Sequence, residues 1–382
     1  MTVTRVLRHC ALPALILAAV LLRTDACAFE TSAREAILVD FETGSVLLEK
    51  NADDPMPPAS MSKIMTVYLA FEQLKEGRLR MEDVITISRK ARRMGGSRMF
   101  VEVNSQVSVA DILRGIIVQS GNDAAVALAE ALAGSESAFA ARMDEKAREL
   151  GMSSSRFRNA TGWPDPEHRT TARDLARLAA RTVRDFPELY ELYAETSFTY
   201  NEIAQRNRNP LLGRTRGADG LKTGYTRAAG YGLTASAERD GRRLVLVING
   251  VSSSARRARE AETILEWGFR EFDNFTLLRA GQTVEQGTVW LGVEPTVPLV
   301  LEEDLFLTLS HRNRSRLTVT VHMAEPVPAP ITAGDRIATL RVEAPGAEAV
   351  ERPLLAGRDI AALGVARRVV TTLGYLLWGH SG

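Results

Sequence analysis

The sequence predicts an α+β domain over residues 29–273, a small all-β domain over residues 274–356 and an amphipathic helix over residues 357–382. Three observations favour this architecture. Strand patterns occur at both ends of the first segment and helical patterns lie between them, so the early and late strands should pair in one antiparallel sheet. Short strand patterns separated by proline and glycine follow Asn274. Near the C terminus, apolar residues recur at the spacing of one helical face.

The N-terminal segment has the pattern of a signal peptide, which we assign to residues 1–28. Arg5 and Arg8 provide a positive start, residues 11–22 an apolar stretch, and residues 26–28 a small-residue cleavage site. The alternative is an uncleaved membrane anchor, but the apolar stretch is shorter than the roughly 20 residues that span a bilayer. We therefore expect an exported protein.

The composition excludes several classes of function. Of the 382 residues, 45% are hydrophobic and 25% are charged, which is typical of a soluble globular protein. The 48 basic and 47 acidic residues give a net charge of +1, so nothing favours a nucleic-acid partner. Both cysteines, Cys10 and Cys27, lie in the signal peptide, and the five histidines include no pair at metal-ligand spacing. We therefore expect no thiol chemistry, no disulfide, no metal and no organic cofactor.

The first domain begins with a predicted hairpin and a helix. Residues 36–39 and 46–48 are apolar strand patterns joined by a Glu-Thr-Gly turn. Two prolines end the extended part. A helical pattern then begins at Met61, and Gly77 ends that helix.

Further helical patterns occupy the middle of the domain. They begin after Ser108, at Ala124, at Ser137 and after Thr171. Ser108 and Thr171 are each followed three residues later by an aspartate, which is the pattern of a helix N-terminal capping box.

The domain ends with a second predicted hairpin and one more helix. Strands at 220–237 and 243–251 flank the Asp240-Gly241 turn, and a helix follows over 255–272. The all-β domain is predicted from four strand patterns, at 289–291, 305–309, 317–321 and 337–342. It contains no cluster of acids, no histidine pair and no aromatic ladder, so we expect a spacer or a protein-contact module.

The C-terminal helix has an apolar face with spacings of three and four residues. That face consists of Leu363, Ala366, Val370, Leu373 and Leu377. The apolar run is too short to cross a bilayer, but a tyrosine and a tryptophan beside it suit a membrane interface. We expect the helix to bind a membrane surface. The alternative is that it docks on its own domain.

Three short strings carry the chemistry: Ser60-Met61-Ser62-Lys63, Ser120-Gly121-Asn122 and Lys222-Thr223-Gly224. Each supplies part of an acyl-transfer site, namely a serine with a lysine one helical turn later, a second hydroxyl with an amide, and a cationic strand. One such string arises easily by chance. Three in this order, each on a suitable element, are a strong signal.

Ser60 requires a base, because an alcohol is hardly nucleophilic at neutral pH. His168 is the only histidine between residues 29 and 273, and it lies in a proline-rich loop. Lys63 is the better candidate, because three residues along a helix place it on the same face as Ser60. A lysine acts as a base only when burial or a neighbouring cation disfavours its charge, and Lys222 is a candidate for that cation. The alternative for Lys63 alone is an exposed surface charge.

The other two strings have structural alternatives as well. Ser120 and Asn122 fall in a break between two helices, where they project into a cleft or merely cap a helix. On its strand, Lys222 would face an anionic group together with the Thr223 hydroxyl, and Gly224 would let a substrate backbone approach closely. The alternative is a surface lysine beside a turn.

The three strings resemble those of the penicillin-recognising serine D,D-peptidases and the serine β-lactamases. The longer strings at 219–225, 259–263 and 267–270 resemble specifically the low-molecular-mass penicillin-binding proteins, the serine-type D-alanyl-D-alanine carboxypeptidases of peptidase family S11. This resemblance implies a β-lactamase/transpeptidase-like fold for the first domain.

The resemblance also implies roles for the acyl-transfer residues. Ser60 would be the acylated nucleophile and Lys63 the general base, while Ser120 would shuttle a proton and Asn122 would position the substrate amide. The backbone N–H groups of Ser60 and Tyr225 would form an oxyanion hole.

The remaining roles concern substrate binding. The resemblance implies that Lys222, Thr223 and Arg259 hold the terminal carboxylate, beside Gly224. The family loop that carries Asp174 borders the site, although a helix cap explains this aspartate equally well. The segment at 163–168 departs from the family strings and leaves one wall of the site unassigned.

The implied function is hydrolysis of the terminal D-Ala-D-Ala bond of peptidoglycan stem pentapeptides through a Ser60 acyl-enzyme, with β-lactams as covalent inhibitors. The implied location is the periplasmic side of the cytoplasmic membrane. One alternative is a serine β-lactamase, which needs a glutamate closely followed by asparagine, whereas Glu167 is followed by His-Arg-Thr-Thr. The others are a D,D-endopeptidase and a wall-binding protein with a vestigial site.

Overall fold

The computed structural model describes residues 2–6, 29–345 and 348–378. They divide into two compact units: residues 29–270 form one, and residues 271–378 with strand β1 (Thr2–Val6) form the other. Apart from β1, the predicted signal peptide lies outside the described residues, and so do both cysteines.

The first unit is built on a five-stranded antiparallel sheet in the order β3-β2-β10-β9-β8. Its strands are β2 (Glu35–Asp40), β3 (Val46–Lys50), β8 (Ala218–Thr226), β9 (Gly230–Arg239) and β10 (Arg242–Val251). The N-terminal hairpin therefore pairs with the late strands, and the α+β prediction is confirmed.

One strand prediction is wrong, because residues 220–237 form two strands rather than one. The chain turns between β8 and β9 and enters β9 at Gly230, whose φ is +75°. A Cβ on Gly230 would lie 2.9 Å from the Cα of Gly250, so glycine also permits a close backbone approach.

Helices cover this sheet. They are α1 (Lys63–Lys75), α2 (Arg89–Arg93), α3 (Val109–Ile117), α4 (Asn122–Ala133), α5 (Glu136–Glu149), α6 (Ala172–Asp185), α7 (Pro187–Tyr190) and α8 (Ser254–Glu271). Two small hairpins complete the unit, β4 (Val84–Thr86) with β5 (Gln106–Ser108) and β6 (Ser197–Tyr200) with β7 (Ile203–Arg206). Ser108 and Thr171 accept the expected capping hydrogen bonds, from the N–H groups of Asp111 and Asp174.

Helix α1 is the central helix of the unit and follows a 3₁₀ turn, Ala59–Ser62. Every residue from Lys63 to Phe71 is buried, so the helix is enclosed on all sides. Gly77 follows its C-terminal end with a φ of +70°, as its sequence position predicts. This enclosure places Lys63 away from bulk water.

Apart from one short 3₁₀ turn and the C-terminal helix, the regular structure described in the second unit consists of β-strands. A seven-stranded sheet has the order β1-β15-β17-β18-β13-β12-β16, and β11 pairs with β14. The strands are β11 (Phe272–Leu278), β12 (Thr283–Trp290), β13 (Thr296–Val300), β14 (Leu305–Ser310), β15 (Thr318–Ala324), β16 (Val327–Pro328), β17 (Arg336–Glu343) and β18 (Val350–Ala356). The all-β prediction is confirmed, although the sequence patterns missed β11, β13, β16 and β18.

The chain ends in helix α9 (Val365–Trp378). On its predicted apolar face, Val370 is 72% and Leu373 51% exposed, so this part of the face does not dock on its own domain. In the described ranges no single helix is long and apolar enough to cross a membrane; only α4 with α5, bent by 82° at their junction, pass that test of length and composition as a pair.

Candidate active site

The three strings meet at one cavity of about 840 Å³ in the first unit. Residues from each string line it: Ser60, Ser120, Asn122, Thr223 and Gly224. Tyr225 lines it too and is 54% exposed. The structure thus brings together residues that are up to 165 positions apart in the sequence.

Ser60 and Lys63 lie at the start of the central helix and face each other. The Nζ of Lys63 is 3.1 Å from the Oγ of Ser60. The same Nζ donates hydrogen bonds to the Oδ1 of Asn122 and to the carbonyl of Thr161, each at 2.7 Å. Three oxygen atoms therefore surround one amine that is fully buried.

The pKa of Lys63 is lowered to about 7, chiefly by burial and secondly by the charge of Arg208, while Asp123 acts in the opposite direction. The sequence suggested Lys222 as the neighbouring cation. Lys222 is itself buried, and its own pKa lies well below the usual value because of that burial and of the charges on Lys63, Arg208 and Arg257. Burial, with Arg208 as the second cause, therefore prepares Lys63 to act as a base.

Ser120 lies in the break between α3 and α4, and its backbone is left-handed with a φ of +66°. Such a conformation is costly for a residue other than glycine and is typical of functional positions. The Nδ2 of Asn122 donates to the carbonyl of Gly95 at 2.7 Å, which orients the amide so that its oxygen faces Lys63. The cap alternative does not apply to Asn122, because its side chain is used in these two contacts.

The loop at residues 96–100 is held by hydrogen bonds to Asn122 and Asp123, at the break between α3 and α4. The backbone N–H of Asn122 donates to the carbonyl of Ser97 at 2.7 Å. The buried Asp123 carboxylate accepts from the N–H groups of Met99 and Phe100, each at 2.9 Å. Gly96 and Ser97 of this loop line the cavity.

The Lys-Thr-Gly string lies on β8, and its residues are buried. The Nζ of Lys222 contacts the carbonyl of Thr223 at 3.2 Å. A Cβ on Gly224 would lie 3.0 Å from the carbonyl oxygen of Pro58 and 3.1 Å from the Cγ of Met61. Glycine is therefore required here so that β8 can pack against the turn that carries Ser60.

Arg259 does not line the cavity, so the prediction that it holds the substrate carboxylate is wrong. Arg259 is exposed on α8. Arg257, two residues earlier, is buried and lines the cavity. Burial lowers the pKa of Arg257 to about 10, so it remains charged at neutral pH. The buried face of α8 includes Ala261, Ile264 and Gly268 at spacings of three and four, and Arg257 continues this face while Arg259 does not.

The charges around the cavity are of one sign. Arg208, Arg227 and Arg257 line it, and none of the described lining residues is an aspartate or a glutamate. Such a cavity favours an anionic ligand. The described residues also contain no group of three histidine, cysteine or acidic side chains that would hold a metal ion.

Two comparisons with known families decide the assignment. The family model "D-alanyl-D-alanine carboxypeptidase" (Peptidase S11) matches residues 23–253, which is more than half of the chain. The model "Penicillin-binding protein 5, C-terminal domain" matches residues 272–362. The chain belongs to the D-alanyl-D-alanine carboxypeptidase family.

Individual family members are similar over most of their length. The D-alanyl-D-alanine carboxypeptidase DacC of Escherichia coli (strain K12) is 37% identical over 345 residues, 88% of this chain and 86% of that protein. The crystal structure of penicillin binding protein 5 from Haemophilus influenzae has 35% identity and a TM-score of 0.77, covering 87% of this chain and 98% of that one. A structure of penicillin-binding protein D2 from Listeria monocytogenes in its ampicillin-bound form has 31% identity and a TM-score of 0.59, covering 63% and 99%.

Several contacts of this D-alanyl-D-alanine carboxypeptidase site were missed by sequence reasoning. The carbonyl of Thr161, the side chain of Arg208 and the half-exposed ring of Trp163 come from loops without a recognisable string. Trp163 and Pro164 line the cavity, so the unassigned 163–168 segment supplies one wall. Asn159, which precedes this segment, was a usable signal, since its side-chain oxygen accepts from the N–H groups of Thr161, Gly162 and Trp163 and shapes the loop.

Asp174 has a structural role. Its backbone N–H donates to the Thr171 hydroxyl, and its carboxylate accepts from the N–H of Ser154 and the hydroxyl of Ser155. It does not line the cavity. The helix-cap explanation therefore accounts for this residue.

Proposed function

We propose that Ser60 is the nucleophile that removes the terminal D-alanine from peptidoglycan stem pentapeptides. Because it belongs to the D-alanyl-D-alanine carboxypeptidase family, the chain is a serine hydrolase of this type. We assign the individual catalytic steps to its residues. One observation carries it: the fully buried Nζ of Lys63 lies 3.1 Å from the Oγ of Ser60 and contacts two further oxygens.

The contacts of Lys63 suit a neutral amine that accepts a proton. An ammonium group has three N–H donors and no acceptor. After it loses a proton, two N–H bonds remain for Asn122 Oδ1 and the Thr161 carbonyl, and neither of these oxygens is itself a donor. The lone pair then faces Ser60, whose hydroxyl donates to it. Ser60 attacks the carbonyl of the penultimate D-alanine, and its proton passes to Lys63.

The acyl-enzyme forms when the bond to the last D-alanine breaks. The leaving amine takes up the proton that Lys63 received from Ser60, relayed by the Ser120 hydroxyl at the same cavity, and Lys63 returns to its neutral form. The backbone N–H groups of Ser60 and Tyr225 stabilise the oxyanion, an effect worth about 3 kcal/mol for each donor. Water then hydrolyses the ester and releases the tetrapeptide.

The terminal carboxylate of the substrate binds on the cationic side of the cavity. Arg257, the Thr223 hydroxyl and Lys222 lie on or behind this wall. Burial and, after it, the nearby cations depress the pKa of Lys222, so a bound carboxylate raises that pKa and favours the charged form. Substrate binding therefore favours protonation of Lys222, and protonated Lys222 in turn strengthens substrate binding.

β-Lactams enter the same reaction at Ser60. A penicillin carries a carboxylate and a reactive amide, so it meets the same cations and the same nucleophile. No carboxylate among the described lining residues is placed to activate water for the resulting ester. The amine expelled from a β-lactam ring also stays attached to the acyl group and remains in the cavity, whereas the D-alanine released from a pentapeptide leaves and admits water. We therefore expect the β-lactam ester to be hydrolysed more slowly than the peptidyl ester, as in an inhibited peptidase rather than a β-lactamase.

The test uses a defined pentapeptide that ends in D-Ala-D-Ala. The purified protein should release D-alanine and should be labelled at Ser60 by a fluorescent penicillin. Ser60→Ala should do neither, while Ser137→Ala, a change at an exposed serine outside the cavity, should do both. Release of D-alanine by Ser60→Ala would refute the assignment, and rapid turnover of the penicillin would favour a β-lactamase.

We propose in addition that the protein acts on the periplasmic side of the cytoplasmic membrane and is held there by α9. The exposure of Val370 and Leu373 supports this, because an apolar helix face left in water favours a membrane surface. Replacing both residues with aspartate should release the protein from vesicles. Thr371→Asp, which adds a charge beside that face, is the matched control and should remain bound.

A further inference from the structure

His168 is a buried histidine that the acyl-transfer mechanism does not use. It is 4% exposed and lies in the loop that also supplies the cavity wall at Trp163 and Pro164. Its ring packs edge-on against Phe157, with 5.5 Å between the ring centroids. Its Nε2 contacts Ser62 in the turn before the central helix, and its Nδ1 faces the backbone N–H of Arg158.

The hydrogen bonds of His168 define its tautomer. The backbone N–H of Arg158 points at Nδ1 at 3.4 Å, so Nδ1 accepts. The proton therefore lies on Nε2, which is 2.9 Å from the Oγ of Ser62. The Ser62 hydroxyl in turn donates to the carbonyl of Ala59 at 3.0 Å. The result is one directed chain from His168 through Ser62 to the residue that precedes Ser60.

This chain ends at a strained point of the backbone. Ala59 is left-handed with a φ of +49°, a conformation that costs free energy for any residue with a side chain. The same carbonyl lies against Gly162, where an added Cβ would be 1.8 Å from the oxygen. The Ala59 carbonyl is therefore held from two sides, and its orientation sets the peptide that enters Ser60.

We propose that His168 is a positioning residue for Ser60, acting through the Ser62 hydroxyl on the Ala59 carbonyl. The proposal rests on the proposed function, since it concerns the nucleophile assigned there. His168 itself touches neither substrate nor the reacting atoms. Its task is to keep the turn at Ala59–Ser62 in the conformation that presents the Ser60 hydroxyl to Lys63.

The chain requires a neutral imidazole. A protonated ring would carry a second N–H at Nδ1, directed at the N–H of Arg158, and two donors would then face each other. The charged groups around the ring are Lys63 and Arg158, which oppose protonation, and Asp165, which favours it. Burial is the largest cause, and together these groups lower the pKa of His168 to about 4. The chain is therefore intact at neutral pH.

The test measures acylation by a fluorescent penicillin, separating the first-order acylation step from the binding that precedes it. In His168→Ala the acylation step should slow by about tenfold or more, the effect of losing one to two hydrogen bonds that orient a reacting group. Binding should stay within about twofold of the unmodified protein, because the cationic wall is untouched. His168→Gln places an amide N–H where Nε2–H was and should restore most of the rate. His311→Ala, a change at an exposed histidine of the second unit, is the control and should have no effect.

The pH profile gives a readout that a purely structural role would not move. Below the pKa of Lys63 the logarithm of the rate should fall with slope one. It should steepen towards slope two below about 4, where His168 is protonated. His168→Gln does not titrate and should keep slope one throughout.

Three results would overturn the proposal. One is an unchanged acylation step in folded His168→Ala. Another is equal loss in His168→Ala and His168→Gln. The third is failure of His168→Gln to fold, because the chain would then support the whole unit rather than Ser60. Absence of penicillin labelling in the unmodified protein would instead refute the proposed function, and Ser60→Ala run in parallel identifies that case.

Discussion

The guanidinium of Arg257 lies over the ring of Tyr231, with its Cζ 5.9 Å from the ring centroid. Its Nη1 also reaches the carbonyl of Gly232 at 3.5 Å. A cation over an aromatic face is stabilised without neutralisation of its charge. Tyr231 therefore holds Arg257 at the cavity and leaves its charge available to a substrate carboxylate.

Removal of this cation should weaken substrate binding. Losing one charge-assisted contact costs about 2 kcal/mol, so Arg257→Ala should lower kcat/KM on a D-Ala-D-Ala peptide by about 30-fold, mainly through KM. Steady-state release of D-alanine measures it. Arg259→Ala removes the same charge two residues away from an exposed position and is the matched control. An equal loss of kcat/KM in Arg259→Ala would show that Arg259, and not only Arg257, contributes to substrate binding.

The pH dependence of acylation should follow Lys63. Only the neutral amine accepts the Ser60 proton, and burial lowers the pKa of this group to about 7. The rate should therefore be constant at higher pH and should fall by about tenfold for each unit below that pKa. Lys63→Arg should abolish acylation at every pH up to about 10, because a guanidinium stays charged.

The control for this prediction is Lys146→Arg. Lys146 is partly buried in ion pairs with Glu72 and Glu149 on the same unit, but it lies outside the cavity. This variant should keep the normal pH profile. A profile that does not depend on pH between 5 and 8 would contradict the role of Lys63.

Much of the site was predictable because its residues lie in short local patterns. Ser60 and Lys63 are one helical turn apart, and the caps at Ser108 and Thr171 form within four residues. Such relationships depend on backbone geometry alone. The α+β class followed similarly, from strand patterns at both ends of the first unit.

The missed residues depend on contacts across the fold. The carbonyl of Thr161 contacts Lys63, and the charge of Arg208 acts on it, from loops that no local pattern places. Arg257 was different, because helical spacing on α8 already separated it from Arg259 and the error came from the resemblance. In the second unit the missed strands include β11 and β18, whose alternation is interrupted by charged or proline residues.

Asp123 should control the order of the cavity loop. Its carboxylate accepts the N–H groups of Met99 and Phe100, and Asp123→Ala leaves both without that partner. We expect a loss of about 3 kcal/mol in unfolding free energy, or about 6–12 °C in Tm for a unit of this size. Thermal unfolding measures the first effect, and hydrogen exchange at residues 97–101 should rise.

The control for Asp123 is Glu102→Ala on the same loop. Glu102 forms an exposed ion pair with Arg92 at 3.1 Å, and such pairs contribute at most about 1 kcal/mol. Its loss should leave hydrogen exchange at 97–101 nearly unchanged. If both variants unfold at the same temperature, the loop is not held by Asp123.

Gly162 should tolerate no side chain, because its backbone is left-handed and because a Cβ there would clash with the Ala59 carbonyl. Gly134 is a control that separates these two reasons. At Gly162 the φ is +76° and a Cβ would lie 1.8 Å from the Ala59 carbonyl oxygen, whereas at Gly134 the φ is +75° and nothing lies within 4 Å. Gly134→Ala should therefore lower the free energy of unfolding by only about 1 kcal/mol, the cost of a left-handed backbone at a residue with a Cβ. Gly162→Ala must also displace the turn that carries Ser60, so penicillin acylation should fall by about 100-fold or more. Acylation by Gly162→Ala at the rate of Gly134→Ala would show that the Ala59 carbonyl is free to move without consequence for the nucleophile.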